Sequence, residues 1–367
     1  MKQIKLFSPN VYVDEWTKEL KKTFKSGWLA QSGKVKEFEE KFCKEFGYKY
    51  AVALNSCTAA LEMAYHLVGI GPGDKVLTPV LTCTATNIPL VHRKADIIFC
   101  DINKETLTLD FEDVKKKINI SWDARFDTAL VTVNLGGVGT DDRIFDIAAE
   151  NNVPVIVDAA QSLGVTQERG DYICYSFQAI KHFTTGDGGM LVLSNEEEYE
   201  RAKKLRWYGI DRDRRAKMNF DFSPSNREMC MDMDEPGFKT HMNDIQATMG
   251  IVGLRHNAEI LWRRYSIADI YVDKFEKIPV IADGSYWLFC ILLEGRDEGK
   301  MDKIKAAGVE CDLVHLRNDI FTPFGGKRQN LPNINEIESK YLYIPIHSNM
   351  TIEDAEYVAD VVLDVIK

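Results

Sequence analysis

Tyr175-Ser176-Phe177-Gln178-Ala179-Ile180-Lys181-His182-Phe183-Thr184-Thr185-Gly186-Asp187-Gly188-Gly189 carries a serine and a lysine out of an apolar run and into a glycine cluster. In a chain with 46 Lys and Arg residues one lysine means little, because most of them must be solvated. Upstream, Val153-Pro154-Val155-Ile156-Val157-Asp158-Ala159-Ala160-Gln161 reads as a buried strand that ends in a carboxylate. A carboxylate, a hydroxyl and an amine on successive strand ends fit a pyridoxal phosphate site. That cofactor needs a lysine for its Schiff base and an acidic partner for its pyridine nitrogen.

Composition narrows the alternatives. The chain of 367 residues is long enough for a large core and two domains. A formal net charge of −10 argues against nucleic acid or an anionic membrane as the main partner. Met1-Lys2-Gln3-Ile4 does not open a signal peptide and no long uncharged apolar run follows, so the expected location is the cytoplasm. The eight cysteines are scattered, with no Cys-x-x-Cys pair and no histidine at ligand spacing, so neither a disulfide framework nor a metal site is expected.

Short strand-like runs alternate with helical stretches over the first two thirds of the chain: Ala51 to Leu54, Lys75 to Val80, Ile97 to Asp101, Ala129 to Leu135, Val153 to Ala159, Tyr172 to Phe177 and Met190 to Ser194. They predict an α/β fold with a mostly parallel seven-stranded sheet. Helical spacing at Thr58 to Val68, Arg143 to Asn151 and Glu196 to Leu205 supplies the covering layers. A long helix is expected from Asn243 towards Phe275, bridging a large unit (1–250) and a smaller C-terminal α/β unit (251–367). In the second unit the pattern predicts strands at Ser285 to Leu293 and Tyr341 to Ile346, and a helix over Met301 to Ala307. Asp319 to Asn335 reads as loop, and a last helix opens behind Thr351 as N-cap.

Three tasks need residues. For an anion, Asn55-Ser56-Cys57-Thr58-Ala59-Ala60-Leu61 follows a strand and opens a helix, whose N–H groups and positive dipole end face outward. Ordinary capping by Ser56 or Thr58 is the competing reading. Asp158 sits at the carboxyl end of a central strand, where open α/β sheets place ligands, and helix capping is its own alternative. Gln161 lies three residues on, either near the cofactor oxygen or as a surface amide.

Asp158-Ala159-Ala160-Gln161, Ser176-Phe177 to Lys181 and Gly186-Asp187-Gly188-Gly189 together resemble the DegT/DnrJ/StrS nucleotide-sugar aminotransferases of pyridoxal fold type I. The resemblance extends to Gly27-Trp28-Leu29-Ala30-Gln31-Ser32-Gly33, Glu37-Phe38-Glu39, Thr58-Ala59-Ala60-Leu61, Gly69 to Asp74, Pro79 and His241-Met242-Asn243-Asp244-Ile245-Gln246-Ala247. It implies that Lys181 binds the cofactor covalently, Asp158 pairs with the pyridine nitrogen and Gln161 lies near the cofactor oxygen. Ser176 and the Cys57-Thr58-Ala59 backbone would hold the phosphate, Ala160 would face the ring, and Asn243 would reach the phosphate of a neighbouring subunit in a homodimer with shared sites. It further implies transfer of an amino group from an amino acid, glutamate first, to a nucleotide-linked keto-sugar, with pyridoxamine phosphate as the half-way form. A 4-keto-6-deoxy hexose is the expected acceptor, with a 3-keto sugar as the next choice. Trp28 and Ser32, Arg212 in the Arg206 to Arg215 segment, and His315 and Arg317 are the candidate substrate contacts, with simple packing for Trp28 and a solvated charged loop for Arg206 to Arg215 as the competing readings.

The chain departs from that family pattern at Cys57, where glycine is common, and at Cys83, where an aromatic usually stacks on the ring. It also departs at Asp187, usually glutamate, and at Asn134, often histidine. Two other functions share the resemblance. Some relatives remove a sugar hydroxyl and carry histidine at the Schiff-base position, and a silent cofactor-binding protein is the second alternative. Lys181 argues against the first, and the full set Asp158, Gln161, Ser176 and Lys181 against the second.

Overall fold

The computed structural model describes residues 3–121, 128–164, 167–217, 223, 228, 231–281 and 283–366. Helices α1 (Val13–Ser26) and α2 (Gly33–Phe46) precede β1 (Tyr50–Leu54) and α3 (Cys57–Val68). Next come β2 (Lys75–Pro79), α4 (Thr84–His92), β3 (Asp96–Cys100), α5 (Phe111–Ser121), β4 (Thr128–Val133), α6 (Asp142–Glu150) and β5 (Val155–Asp158). Then follow β6 (Tyr172–Ser176), β7 (Gly189–Leu193), α7 (Glu196–Leu205) and α8 (Arg212–Lys217). The strands form one seven-stranded sheet in the order β1-β7-β6-β5-β4-β2-β3. β7 runs antiparallel to both its neighbours and the other pairs are parallel.

Strand side chains alternate between two cores, as a sheet covered on both faces requires. Ala51, Ala53, Leu77, Leu130, Val155, Val157 and Ile173 join Val35, Phe38 and Phe42 of α2 on one face. Val52, Leu54, Val76, Ala129, Val131, Ile156 and Cys174 join Leu61, Ala64 and Tyr65 of α3 on the other. All seven expected strands therefore form, each within two residues of its expected ends.

The expected single helix from Asn243 to Phe275 is two: α9 (Asp244–Arg255) and α10 (Asn257–Lys274). They break at His256, which leaves helical geometry at φ −99° and ψ 1°. Its ring stacks on Tyr12 at 4.0 Å and its Nε2 lies 2.6 Å from Glu15. The apolar period runs through the break, so the sequence did not mark it; a tertiary contact with the N-terminal segment does. The expected boundary between 250 and 251 falls inside α9.

The C-terminal part builds a three-stranded antiparallel sheet from β8 (Val280–Ile281), β9 (Phe289–Leu292) and β10 (Tyr341–Ile344), packed with α10, α11 (Glu298–Ala306) and the last helix, α13 (Ile352–Ile366). Thr351 accepts the Asp354 N–H at 3.2 Å and Asp354 accepts the Thr351 N–H at 3.1 Å, a capping pair at its start. Asp319 to Asn335, expected as loop, contains α12 (Pro332–Ile337), which begins with proline at its first turn. The Asp101 carboxylate after β3 accepts the Asn333 and Ile334 N–H groups there, at 2.7 and 2.9 Å. The C-terminal part is tied to the seven-stranded sheet at the Gly136-Gly137 turn as well. Leu288 and Ser285 donate to Gly136 and Gly137 carbonyls at 3.1 and 3.3 Å, and a Cβ on Gly137 would meet the Ser285 hydroxyl at 2.5 Å.

Candidate active site

The parallel strands β4, β5 and β6 end side by side, so the residues at their carboxyl ends share one crevice. Asp158 closes β5 and is 4% exposed. Thr86 of α4 donates to its Oδ2 at 2.7 Å and the Ala160 N–H donates to Oδ1 at 3.1 Å. Burial pushes the Asp158 carboxyl up from the usual range, against those two hydrogen bonds and the charge of Lys181. Without a cationic partner for its outer face, this carboxylate is costly to bury.

Lys181 follows β6 in the turn that Gln178 closes, where its N–H donates to the Gln178 carbonyl at 2.9 Å. Burial pushes the amine down to about 8, opposed by Asp158 and the Cys57 and Cys83 thiols. Its Nζ lies 3.6 Å from the centre of the Trp287 ring. The neighbouring His182 is fully buried with Nε2 against the Ser285 carbonyl at 3.0 Å, so it does not take the place of the lysine.

The α3 N-terminus lies beside these groups. Ser56 is its N-cap and accepts from Ala59 N–H at 3.1 Å, which leaves the N–H groups of Cys57 and Thr58 in the first turn, where no intrahelical acceptor exists. Cys57 is buried with its Sγ 3.5 Å from the Cys174 carbonyl, while Thr58 is exposed. Gly189 explains part of the glycine cluster. A Cβ there would meet the Ser56 carbonyl oxygen at 2.3 Å, so only glycine lets β7 lie against this turn. Ser176 is buried at the end of β6 and its Oγ accepts from the Gln178 N–H at 3.3 Å. Cys83, half-buried, is the residue before α4, and burial pushes its thiol up with Asp158 adding and Lys181 opposing.

Gln161 reaches two distant segments. Its Oε1 accepts the Gly136 N–H at 2.7 Å and its Nε2 donates to His315 Nε2 at 3.1 Å. Burial, helped by Lys181, holds the His315 ring neutral by pushing its pKa down to about 4. Cys57, Cys83, Asp158, Lys181 and His315 are thus close enough to act on one another's ionisation.

A buried carboxylate, a lysine amine close enough to act on its charge and the first-turn N–H groups of α3 are the donors and acceptors that pyridoxal phosphate requires. The comparisons with known proteins agree. A family model described as the DegT/DnrJ/EryC1/StrS aminotransferase family matches residues 11–363. The chain belongs to the DegT/DnrJ/EryC1/StrS aminotransferase family. Among the relatives of this aminotransferase is the spore coat polysaccharide biosynthesis protein SpsC of Bacillus subtilis, 32% identical over 96% of this chain and 95% of that one. Of solved structures, AtS13 from Actinomadura melliaura has a TM-score of 0.88 at 28% identity, covering 99% of each chain. The sugar aminotransferase CalS13 from Micromonospora echinospora has 0.86 at 26%, covering 98% and 99%. Membership makes the chain a pyridoxal-phosphate-dependent sugar aminotransferase of fold type I.

Other expected contacts of this aminotransferase lie elsewhere. Trp28 is 56% exposed in the segment between α1 and α2. The Ser32 N–H donates to Asp244 at 2.7 Å, and Arg212 reaches Gln31 at 3.2 Å and lies over Trp207 at 4.7 Å. These residues form a second group around the opening segment. Two further expected contacts, Asn243 and Arg317, bond within the chain. Asn243 Oδ1 accepts the Gln246 N–H at 2.9 Å and Nδ2 donates to Gln246 Oε1 at 2.8 Å, so its side chain caps α9. Arg317 pairs with a carboxylate. It is buried, with Nε and Nη2 each 2.7 Å from the two oxygens of Asp319, itself fully buried. Removing it leaves an unpaired buried carboxylate. Arg317→Ala is therefore expected to lower stability by roughly 3 to 5 kcal/mol, and Arg317→Leu combined with Asp319→Leu to recover most of it. Denaturant unfolding of both variants checks this.

Thr86 and Trp287 were missed. Thr86 stands in Thr82-Cys83-Thr84-Ala85-Thr86, where three hydroxyls at a helix start were the available signal; Thr82 and Thr86 lie 2.8 Å apart. Trp287 sits in a run that reads as plain core, and nothing local separates it. Asn134 bonds to Ser162, Gln167 and Thr140 at 3.1, 2.9 and 3.1 Å, a buried strut after β4.

Proposed function

We propose that the protein transfers an amino group from an amino acid, glutamate first, to a nucleotide-linked 4-keto-6-deoxy hexose. The Lys181 amine facing the buried Asp158 at the ends of β6 and β5 carries this reading. In its favour are the family, the polysaccharide role printed for SpsC, and the cation and aromatic pair of Arg212 and Trp207 beside the opening segment, a group suited to a nucleotide diphosphate.

Pyridoxal phosphate, when bound, supplies an aldehyde carbon for amines and a pyridine ring that accepts electron density. In this reading Asp158 would hold a proton on the ring nitrogen, with its two oxygens fixed by Thr86 and the Ala160 N–H. Ala160 would lie against one face of the ring and Gln161 near the ring oxygen. The Cys57, Thr58 and Ala59 end of α3 and the Ser176 hydroxyl would take the phosphate. Lys181 would supply the covalent attachment. When free, its neutral Nζ would take the proton from the donor Cα and give it to the carbon bearing the nitrogen, and on the sugar it would run the same transfer backwards. An amine with a pKa near 8 holds both forms in useful amounts at neutral pH.

The division into a large unit, 1–250, and a small unit, 251–367, and a homodimer with shared sites belong to the same reading. The exposed Val13, Phe24, Trp28 and Leu29 of the N-terminal helix and loop are the apolar surface that such a partner would cover. Trp28, Ser32 and Arg212 are proposed to line the nucleotide end of the substrate, and His315 the sugar end.

The test is to incubate the purified protein with pyridoxal phosphate, glutamate and UDP-, GDP- or TDP-linked keto-sugars, and to read the product by mass and NMR. An amino sugar formed from one of these supports the reading. A deoxygenated sugar with no added nitrogen, or no product from any of them, overturns it. Cys83 leaves one ring face with a small side chain. Cys83→Phe is expected to tighten pyridoxal phosphate binding about threefold to tenfold, the worth of one aromatic stacking contact. Titration of the cofactor absorbance checks it, and an unchanged affinity removes the argument.

A further inference from the structure

Trp287 is the least expected neighbour of Lys181. It comes from the second unit, between Gly284 and β9, and is 1% exposed. Its Nε1–H donates to the carbonyl of Ile180 at 3.0 Å, which locks the indole against the residue immediately before the lysine. Phe7 stacks on the ring at 5.2 Å, while the Lys181 Nζ lies 3.6 Å from the ring centre. The backbone around the tryptophan is equally fixed. Arg264, itself buried on α10, donates from Nη1 to the Tyr286 and Trp287 carbonyls at 2.8 and 3.3 Å, and Ser285 Oγ donates to the Gln161 carbonyl at 3.0 Å.

We propose that Trp287 is the resting platform of the Lys181 ammonium: whenever the amine is not bonded to cofactor and carries a proton, the indole face holds it beside the crevice. An ammonium removed from water is attracted to the negative face of an indole, and the attraction is largest where water is excluded. Trp287 is a positioning residue, since it acts on the proton carrier and not on substrate. The inference rests on the proposed role of Lys181. Its physical content is that the second unit decides where the amine waits and how readily it keeps its proton. The other groups acting on that amine are Asp158 at the end of β5, the Cys57 thiol of α3, the Cys83 thiol before α4, Arg264 of α10, and the neighbouring His182 and His315 rings. Asp158 and the Cys57 and Cys83 thiols favour the ammonium, whereas burial and Arg264 oppose it, so the indole adds to the first three.

The cofactor-free protein provides the readout. Lys181 is labelled with an amine-reactive aromatic fluoride across a range of pH, and the rate at that residue is followed by peptide mass spectrometry. The midpoint of the rate profile reports the amine's proton affinity without any pyridoxal chemistry. With Trp287→Met, which keeps bulk and removes the ring, the midpoint is expected to fall by about one pH unit, and with Trp287→Phe by less. Biosynthetic replacement with fluorinated tryptophans, which weakens the ring face and preserves shape, should lower it in step with the number of fluorines. A midpoint that stays or rises in the fluorinated protein overturns the proposal. So does an equal fall in the Phe and Met variants, because both lack the indole N–H. If the protein fails to bind pyridoxal phosphate while the midpoint still follows ring fluorination, the platform stands and the proposed function falls.

Discussion

Lys181→Ala is expected to abolish covalent capture of pyridoxal phosphate and to lower amino transfer by about 10⁴-fold or more. One positioned acid–base group contributes up to about 10⁴-fold, and this residue also forms the covalent attachment that places the cofactor. The measurement is borohydride fixation followed by peptide mapping, together with turnover. Fixation at another lysine, or turnover within tenfold of the natural protein, would sink the assignment. A second, independent signature is available from stability. The folded amine is pushed down to about 8 from 10.5, so the native state binds fewer protons than the unfolded chain between those values. Through this group, the cofactor-free protein should therefore gain stability as pH rises from about 8 towards 10.5, having carried the full cost below 8. That segment of the pH dependence should vanish in Lys181→Ala.

Asp158→Asn carries the second large effect, and its sign depends on what is being measured. Turnover should fall roughly 10²- to 10³-fold, the range for removing one preorganised electrostatic partner of the reacting group. Stability of the cofactor-free protein should move the other way. Burial raises the folded carboxyl above 3.8, so between that value and the raised one the native state binds more protons than the unfolded one and loses stability as pH rises, and above it the cost is carried in full. Asparagine keeps the Thr86 hydrogen bond without the buried charge. The variant should therefore unfold at a higher temperature than the natural protein at neutral pH without cofactor, and at a lower one with cofactor bound. Thermal unfolding with and without pyridoxal phosphate checks both halves. A variant that is less stable in both states would mean that the carboxylate is structural.

These opposed effects are the pattern of a site that is unfavourable for the folded chain alone. Asp158 and Lys181 each favour the other's charged form but do not cancel the cost of burial, and among the described residues neither makes a close ion pair. Arg317 and Asp319 are the contrast within the same molecule. They are buried together with two hydrogen bonds at 2.7 Å and serve the fold. Read from the sequence, Arg317 and Lys181 look alike, each a cation beside apolar residues. What separates them is whether a carboxylate lies within bonding distance: Asp319, two residues along, takes both bonds of Arg317, whereas the Asp158 carboxylate accepts from Thr86 and Ala160.

The strands, the α/β layering and the Asp158, Ser176 and Lys181 set were legible because each depends on local order. Apolar runs of strand length are forced into a sheet, and a polar residue that ends such a run is forced to its edge. Family resemblance extended that reading to the reaction type. The break at His256, the capping role of Asn243, the Thr86 bond to Asp158 and the position of Trp287 under the lysine were not legible. The helix break depends on Tyr12 and Glu15, far upstream. The Asn243 cap rests on two bonds to Gln246, which residue type alone does not specify. Trp287 is separated from Lys181 by the whole of the bridging helices. The sequence by itself determined which residues end the strands and what chemistry they can support, because side-chain type and strand period are properties of neighbours along the chain. Only the tertiary structure decided which charges are paired, which are left to act on a ligand and where the amine rests. Those depend on distances between segments that no spacing in the sequence encodes.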